Sequence, residues 1–461
     1  MRKKSRIGLF AALSIILRFH VIASKHPIVD SKKCEALCTC GHEHQTPAME
    51  ILSSEEAYAV LAQDCALACT EKPALLIDDE NTHTAAGARI AELLEDNSVP
   101  FRLVKLPGDS VSTDELADRI FNYSSGSGLI IAVGGGTMTD LGKFVAEKRE
   151  VPFWSVPTAP SMNGYTSSIV AIKINGVKKT LPSLPPRYIY VDPKVIRNSP
   201  LRLRQAGFCD VLAKSVSDRD WQAESLLFSG TYCALPSAIA SEAESGYIND
   251  PEKILQGDRQ AVMGLFEGLL FSGVAMSLAG SSAPASGGEH LISHFLDMRE
   301  AITGIKPNLH GLQVGTGIVL SAACYRRLAA LEAKDLKPAA SVAFEADAAR
   351  IPYIWEDLAP EVEKQFLNKR DRLLKFDTRL PENWDELKNI FAKVRTPEFF
   401  LDLFHRVGLD MKLSSLDIPE EEFLLGAMSA RMIRDRITVL DLSAHTGILE
   451  EAARETLEML S

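Results

Sequence analysis

Hydrophobic and polar positions follow two kinds of period between residues 50 and 195. The segments PALLIDD and FRLVKLP are short apolar runs typical of buried strands, whereas NTHTAAGARIAELLEDN and STDELADRIFNY space their apolar residues as helices do. The stretch SGLIIAVGGGTMTDLGKFVAEK combines a buried strand, a glycine turn and a helix. A repeated succession of strand and helix predicts an α/β domain with a parallel sheet.

The pattern changes after residue 195. Long segments such as LRLRQAGFCDVLAKSVSDRDWQAESLL, QAVMGLFEGLLFSGVAMSLAG and GLQVGTGIVLSAACYRRLAALEA have helical periodicity almost throughout. We therefore predict an N-terminal extension over residues 1–48, an α/β domain over 49–195 and a helical domain over 196–461. A chain of 461 residues is too long for one compact core, which supports this division.

Composition indicates a globular protein of enzyme size. Apolar residues make up 46% of the chain and charged residues 24%, and the formal net charge of -11 argues against nucleic acid or an anionic membrane as the main partner. The start MRKKSR followed by IGLFAALSIIL has the character of a secretory signal, but this run is shorter than the roughly 20 residues of a membrane-spanning helix. We expect no stable membrane span and a cytoplasmic location, with export as the alternative.

The eight cysteines do not have the spacing of a disulfide framework, which favours a reducing compartment. Three of them lie in CEALCTCGHEH, where zinc could bind through thiolate and imidazole groups. The candidate ligands are Cys34, Cys38, Cys40, His42 and His44. Their spacing matches no standard zinc knuckle, so a surface arm without metal is the alternative.

The segment VGGGTMTD is the first candidate for ligand binding. A glycine turn after a buried strand lets backbone N–H groups approach a pyrophosphate, and the positive end of the following helix attracts the anion. The alternative is a turn that needs glycine for its geometry alone. The loop PTAPSMNGYTSS after the next strand adds the hydroxyls of Thr158, Ser161, Ser167 and Ser168 at the edge of the sheet where α/β proteins bind ligands, or it is a solvated turn.

Four residues of the helical half suggest a metal site. Asp210 lies among apolar neighbours in AGFCDVLAK, and a buried carboxylate needs a cation, a hydrogen-bond donor or a metal. His290 and His294 are four residues apart and therefore share one face of a helix, and His310 follows in NLHGLQVG. Asp210, His290 and His310 could bind a catalytic divalent ion, although histidines on a helix face are also common as structural residues.

Five motifs in this order resemble the glycerol-1-phosphate dehydrogenase family. They are GGGTMTD, PTAPSMNGYTSS, GFCDVLAKSVSDRDW, SGGEHLISHFLD and LHGLQVG. This family lies in the wider group of glycerol dehydrogenase, iron-type alcohol dehydrogenases and dehydroquinate synthase. The resemblance runs from about residue 50 to near the end of the chain. It implies a dehydroquinate synthase-like fold, in which the α/β domain binds NAD or NADP, the helical domain holds a divalent metal, and the active site lies between them.

The resemblance also implies roles for individual residues. Asp210, His290 and His310 match metal ligands, and His294 matches a position that contacts the substrate. The catalytic positions are His294, Asn163 and Asp210. The positions that match the cofactor site are Asp79, Gly134, Gly135, Gly136, Thr137, Met138, Thr139, Asp140, Thr158, Ala159, Pro160, Ser161 and Ser167. Zn²⁺ is the expected metal, with Ni²⁺ or Fe²⁺ as alternatives.

Two positions depart from the family pattern. Asn163 stands where the family usually has Asp; its amide can hydrogen-bond a substrate hydroxyl but cannot act as a base. Cys209 stands where Gly is usual, so its side chain needs extra room and its sulfur could change the metal preference. These departures leave the substrate and the metal open.

The function that the resemblance implies is reversible hydride transfer between nicotinamide and C2 of dihydroxyacetone phosphate, giving sn-glycerol 1-phosphate. The alternatives are a related polyol or alcohol dehydrogenase, a dehydroquinate synthase-like lyase and a non-catalytic binding protein. Lys178 and Lys179 are candidate contacts for the substrate phosphate, or else a solvated pair. The two aspartates of DDENT favour NAD, because carboxylates repel a 2′-phosphate. We expect a homo-oligomer of two or more subunits.

Overall fold

A computed structural model describes residues 16–19, 38, 40, 41, 44, 49–336, 338 and 340–461. Seven strands form a parallel sheet in the order β1-β2-β9-β6-β5-β3-β4, and β7 and β8 form an antiparallel pair. The strands are β1 (Ile16–Phe19), β2 (Glu50–Ser53), β3 (Ala74–Asp79), β4 (Phe101–Leu106), β5 (Leu129–Gly134), β6 (Phe153–Pro157), β7 (Ile169–Ile174), β8 (Val177–Pro182) and β9 (Tyr188–Val191).

Helices cover both faces of the sheet. They are α1 (Ala57–Ala68), α2 (Ala88–Asp96), α3 (Asp114–Tyr123) and α4 (Gly136–Arg149), with a short turn Glu80–Thr82 and a π-helical segment His83–Gly87 before α2. The alternation along β3 shows why both faces need cover: Leu76 packs in one apolar cluster with α1 and α2, whereas Leu75 and Ile77 pack in another with α3 and α4. The α/β architecture and parallel sheet are thereby confirmed.

The chain order of the strands creates a crevice at the carboxyl ends of β3 and β5. β3 pairs with β4 on one side and with β5 on the other, so the chain changes direction across the sheet between these strands. Open α/β sheets bind ligands at such a switch point. Asp79 ends β3 and Gly134 ends β5, which places the two predicted cofactor segments at neighbouring strand ends.

The hairpin of β7 and β8 was not among the predicted elements. Its tight turn is formed by Asn175 and Gly176, whose φ angles of 51° and 78° are those favoured by a two-residue hairpin. The Asn-Gly pair between IVAIKI and VKKTLP is the sequence signal that could have revealed it. This hairpin carries Lys178 and Thr180 to the wall of the crevice at the carboxyl ends of β3 and β5.

The described residues from 192 to 461 contain helices and no strand, as predicted. The helices are α5 (Pro193–Asn198), α6 (Leu201–Leu212), α7 (Lys214–Phe228), α8 (Ala234–Ser241), α9 (Glu244–Ile248), α10 (Pro251–Leu255), α11 (Arg259–Ala279), α12 (Gly288–Thr303), α13 (His310–Ala330), α14 (Ala340–Trp355), α15 (Ala359–Asn368), α16 (Arg370–Leu373), α17 (Phe376–Phe391), α18 (Pro397–Arg406), α19 (Glu420–Ser429), α20 (Val439–His445) and α21 (Leu449–Leu460). Short 3-10 turns join several of them.

Helix α11 passes through the centre of this half. Among the described residues it is the one helix long and apolar enough to cross a membrane, but 83% of its apolar window is buried inside the protein. Leu265, Leu269 and Val274 pack in the main apolar core with α6, α12 and α13. Its hydrophobicity is therefore accounted for by packing within a folded core.

Candidate active site

A cleft of about 490 Å³ separates the strand ends of the sheet from helices α6, α12 and α13. This volume lies in the range of small-molecule and cofactor sites. Residues from the glycine turn, from the loop after β6 and from all three helices line it. The predicted cofactor segments and the predicted metal ligands therefore face one shared space.

Asp210 is held in the cleft by hydrogen bonds from Asn163. The backbone N–H of Asn163 donates to Asp210 Oδ2 at 2.7 Å, and its side-chain amide donates to Oδ1 at 3.3 Å. A glycine on α6 allows this approach, because a Cβ on Gly207 would lie 1.8 Å from the carbonyl oxygen of Pro160. Asn163 thus orients the carboxylate, and an aspartate at this position could make the side-chain part of this contact only if it were protonated.

His290 and His294 project from α12 as their spacing predicts. His290 Nε2 lies 3.2 Å from Asp210 Oδ1, and its Nδ1 lies 2.7 Å from Glu289 Oε1. Burial by itself lowers the pKa of His290, but the hydrogen bonds to these two carboxylates outweigh it and raise the pKa to about 9. A carboxylate that accepts from one imidazole nitrogen fixes the tautomer in which the other nitrogen can bind a metal.

His310 is the first residue of α13 and points to the same place. Ser293 Oγ donates its proton to Gln313 Oε1 at 2.8 Å. The same hydroxyl therefore accepts a hydrogen bond from His310 Nδ1, which lies 2.8 Å away. With the proton of the neutral ring on Nδ1, His310 Nε2 carries the free lone pair. Burial lowers the pKa of His310 to about 3, which keeps the ring neutral. A Cβ on Gly311 would lie 2.0 Å from the carbonyl oxygen of Ala206, so glycine lets α13 approach α6 this closely.

The donor atoms of Asp210, His290 and His310 all lie within 4.8 Å of one another. In a tetrahedral site with metal–O and metal–N distances of about 2.0–2.2 Å, two ligand atoms lie about 3.3 Å apart. The observed distance of 3.2 Å between His290 Nε2 and Asp210 Oδ1 is close to this value. His294 Nδ1 is buried and has no hydrogen-bond partner among the described residues. One carboxylate, two imidazoles and an unsatisfied polar atom beside them fit a catalytic metal centre.

The glycine turn joins β5 to α4. Gly135 is the N-cap residue of α4 and supplies no side-chain hydrogen bond, so the first N–H groups of the helix have no side-chain acceptor. Gly135, Gly136, Thr137 and Met138 line the cleft. These exposed donors and the positive end of the helix dipole provide the setting that a pyrophosphate requires.

A buried lysine, which was not predicted, holds the loop after β6. Lys143 on α4 is 1% exposed, and its ammonium donates to the carbonyl oxygens of Gly164, Ser167 and Ile169 at 2.6, 2.8 and 3.2 Å. Burial lowers the pKa of Lys143 to about 8 and raises the pKa of the nearby Asp140 to about 6, while their opposite charges oppose both shifts. The lysine fixes Ser167 against the cleft.

The remaining predicted cofactor residues divide into two groups. Those that line the cleft are Asp79, Asp140, Thr158, Ala159, Ser161 and Ser167. Those outside its lining are Gly134, Thr139 and Pro160; Thr139 is fully buried. Of the two aspartates of DDENT, Asp78 is buried and contacts His83 at 2.7 Å, so only Asp79 borders the cleft. Ser168 lies at a different cavity.

Two cations and a threonine form the wall beside His294. Lys178 and Thr180 come from β8, and Arg434 donates to Thr180 Oγ1 at 2.6 Å. Burial lowers the pKa of His294 well below its ordinary value, and the positive charges of Arg434 and Lys178 add to this effect. Lys179 lies outside this wall and pairs with Glu361 at 2.9 Å. Arg434 was not predicted, because nothing in its local sequence indicates a site.

The thiol of Cys209 is not among the clustered metal donors. Cys209 is fully buried, burial raises its pKa, and a Cβ on Gly315 of α13 would lie 3.1 Å from its sulfur. Gly315 therefore provides the room that the larger side chain needs. The expectation that this sulfur could alter the metal preference gains no support from its position.

Comparisons with known proteins agree with this geometry. The model of the iron-containing alcohol dehydrogenase family matches residues 55–200. A glycerol-1-phosphate dehydrogenase [NAD(P)+] of Bacillus licheniformis is 28% identical over 91% of this chain and 94% of that protein. The enzyme of that name from Geobacillus thermodenitrificans is 33% identical over 62% of this chain and 72% of that protein. The chain belongs to the glycerol-1-phosphate dehydrogenase family. The resemblance found in its motifs is thereby confirmed.

Solved structures of glycerol dehydrogenases share the fold of this chain. A glycerol dehydrogenase of Schizosaccharomyces pombe superposes with a TM-score of 0.56 at 17% identity, covering 92% of this chain and 93% of that one. A probable glycerol dehydrogenase of Sinorhizobium meliloti gives a TM-score of 0.59 at 19% identity, covering 90% and 99%. At this identity the likeness concerns the fold.

Proposed function

We propose that this protein is an NAD(P)-dependent, metal-dependent dehydrogenase that interconverts dihydroxyacetone phosphate and sn-glycerol 1-phosphate. The observation that carries the proposal is the convergence of Asp210, His290 and His310 in the cleft that the glycine turn also lines. The curated relatives bear the name of this activity. An oxidoreductase needs the cofactor and the reacting carbon in contact, which one shared cleft permits.

Asp210, His290 and His310 would hold the metal, for which we propose Zn²⁺, with Ni²⁺ or Fe²⁺ as alternatives. One carboxylate and two imidazoles leave a coordination position for substrate, as catalytic zinc sites do. When bound, the metal supplies polarisation of the substrate carbonyl and the nicotinamide supplies or accepts the hydride. Glu289 and Ser293 keep the two imidazoles in the tautomers that metal binding needs.

His294 is the residue that we propose for proton transfer. Its imidazole is neutral because burial and two neighbouring cations lower its pKa, and its Nδ1 has no partner among the described residues. A neutral imidazole beside a substrate oxygen can accept a proton from the alcohol and return it in the reverse direction. The backbone N–H and one side-chain N–H of Asn163 donate to Asp210, and its Oδ1 can accept a hydrogen bond from a substrate hydroxyl.

Lys178 and Arg434 would bind the substrate phosphate. Both line the cleft on the side of His294, and the carboxylate of Asp297 lies 3.9 Å from the ammonium of Lys178. Two cations at one wall suit a dianionic group better than a neutral polyol. This wall is the observation that favours a phosphorylated substrate over the alternatives of a neutral polyol or alcohol. The complete donor set disfavours a binding protein without activity.

We propose NAD as the preferred cofactor over NADP, because Asp79 borders the cleft at the end of β3 and a carboxylate there repels a 2′-phosphate. The preference rests on one acid, since Asp78 faces away. We also propose a reducing compartment such as the cytoplasm, because five buried cysteines form no disulfide, and a homo-oligomer. The thiols are Cys65, Cys69, Cys209, Cys233 and Cys324.

The test follows NADH absorbance with dihydroxyacetone phosphate, before and after a chelator. We expect oxidation of NADH that the chelator abolishes and that added Zn²⁺ restores, with slower turnover of unphosphorylated dihydroxyacetone. Equal turnover of the two ketones would contradict the assigned substrate and leave a polyol dehydrogenase. No oxidation with any ketone, in protein that binds metal and NADH, would favour the binding protein.

A further inference from the structure

A second group of metal-binding side chains lies outside the active-site cleft. Cys38, Cys40 and His44 belong to the segment that precedes β2. Cys233, almost two hundred positions later in the chain, is the residue immediately before α8. One ligand atom from each of the four lies within 4.8 Å of the others. Cys233 is 1% exposed and the other three are half-buried, so the group lies where Cys38, Cys40 and His44 meet the helical half.

The spacing of these atoms is that of a zinc coordination shell. A tetrahedral Zn²⁺ with Zn–S of about 2.3 Å and Zn–N of about 2.0–2.1 Å separates its sulfurs by about 3.8 Å and a sulfur from a nitrogen by about 3.6 Å. Cys38 Sγ lies 3.6 Å from Cys40 Sγ. His44 Nε2 lies 3.2 Å from Cys40 Sγ and 3.3 Å from Cys233 Sγ.

The imidazole of His44 is already turned for this role. Its Nδ1 lies 2.8 Å from the carbonyl oxygen of Leu278 in α11 and donates a hydrogen bond to it, because a carbonyl can only accept. The proton is therefore on Nδ1, and Nε2 presents its lone pair to the three sulfurs. A backbone carbonyl that orients a histidine in this way is a common partner of zinc-binding imidazoles.

We propose that Cys38, Cys40, His44 and Cys233 bind a structural Zn²⁺. Four protein ligands leave no coordination position for substrate, and three thiolates with one imidazole select zinc over harder cations. The ion would join the N-terminal segment to α8 and α11, so the segment becomes part of the folded unit. The expectation of zinc in CEALCTCGHEH is thus refined: Cys233 is added as a ligand, while Cys34 and His42 lie outside the described residues.

The test uses the full chain grown or exchanged with Co²⁺. Thiolate ligands give Co²⁺ an intense sulfur-to-metal charge-transfer absorption in the near ultraviolet, which the Asp210, His290 and His310 set cannot produce because it has no sulfur. We expect this absorption in the wild-type protein, its loss in Cys233→Ser, and its persistence in Asp210→Asn. Cys69→Ser is the matched control, since Cys69 is also buried and lies outside the cluster.

Metal content and thiol state make the test decisive. Zinc measured on protein isolated without added metal should fall by one ion per chain in Cys233→Ser and stay unchanged in Cys69→Ser. If Cys233→Ser does not fold, His44→Cys supplies the second variant, which should keep the ion and strengthen the charge-transfer band. A wild-type protein without that band would overturn the proposal. So would a disulfide between any two of the three cysteines in protein whose thiols were blocked at lysis.

Discussion

The two donor sets of this chain differ in chemistry, support and openness. Asp210, His290 and His310 offer oxygen and nitrogen from three packed helices and face a cleft. The cysteine set offers three sulfurs and one nitrogen, and three of its four members come from a short segment that precedes β2. Three hard or borderline ligands leave a place for substrate, whereas four ligands rich in sulfur close the shell. The same type of ion would thus serve catalysis at one site and structure at the other.

Their supporting shells differ as well. His290 and His310 each have a side-chain partner, Glu289 and Ser293 respectively, that sets the tautomer of the imidazole, and Asn163 positions the carboxylate. In the cysteine set a backbone carbonyl orients His44. Catalysis needs reproducible placement of each ligand to a fraction of an ångström, which packed helices provide, whereas a structural ion itself imposes the geometry on the chain that binds it.

The largest expected effect separates the two sets by activity. Asp210→Asn should lower kcat/KM for dihydroxyacetone phosphate by about 10³-fold or more, because the cleft loses its charged metal ligand and the carbonyl is no longer polarised. Steady-state kinetics and metal analysis of the same sample test this. Asp64→Asn is the control: Asp64 accepts a hydrogen bond from Tyr190 away from the cleft, and activity should stay within about twofold. Full activity in Asp210→Asn would show that the reaction does not need the metal set of the cleft.

Two adjacent lysines test the phosphate wall. Lys178→Met should raise KM for dihydroxyacetone phosphate by roughly 10–100-fold, because a charge-assisted hydrogen bond contributes about 1.5–3 kcal/mol. Lys179→Met removes the same charge from the neighbouring position, where the side chain pairs with Glu361, and should leave KM nearly unchanged. The two variants are compared with the phosphorylated and the unphosphorylated ketone. Equal effects on both ketones would show that Lys178 does not bind phosphate.

Removing the charge of Glu289, which contacts His290 Nδ1, should have a smaller effect on the enzyme. Glu289→Gln keeps an oxygen that can accept from His290 but removes its charge, so the imidazole becomes a weaker ligand. We expect metal affinity to fall by roughly 10–100-fold, with activity restored by excess Zn²⁺. Titration of the metal-free protein measures this. Glu92→Gln, an exposed position on α2, is the control and should titrate like wild type. An unchanged metal affinity in Glu289→Gln would show that the charge of Glu289 does not contribute to metal binding.

The smallest effect concerns stability at the cysteine set. In the Asp210→Asn background, whose cleft lacks its charged ligand, a chelator should lower Tm by a few degrees, about 1–2 °C for each kcal/mol of lost zinc binding. Adding Cys233→Ser to that background should lower Tm by a similar amount and abolish the further effect of the chelator. Calorimetry measures both. If the chelator still lowers Tm in the variant without Cys233, the stabilising ion is bound elsewhere in the protein.

Much of the fold was predictable because its signals are local. The apolar run that ends at Gly134 and the helical spacing after it depend on a few neighbouring residues, and so does the i, i+4 pair His290 and His294. The hairpin of β7 and β8 also has a local signal, the Asn-Gly turn, which was overlooked. The glycine turn and the three donors were proposed from their motifs, and the structure brings them to one cleft.

Other residues of the sites had no such signal. Lys143 has the sequence of an ordinary helix lysine, and only its burial against the loop at Gly164 to Ile169 reveals its task. Arg434 meets Thr180 across more than two hundred residues, and Cys233 meets His44 across a similar gap. A contact between distant segments depends on the packing of both, which no single stretch of sequence encodes.

The sequence by itself indicated the alternation of strands and helices, the glycine turn and the three candidate donors of the cleft, because periodicity and motif spacing are properties of short segments. The tertiary structure alone decided which of these residues share a cavity, which acid of DDENT faces it, and that a cysteine from the helical half completes a donor set begun in the N-terminal segment. The physical reason is that convergence in space is set by the packing of helices against the sheet, where glycines such as Gly207 and Gly311 permit the close approaches.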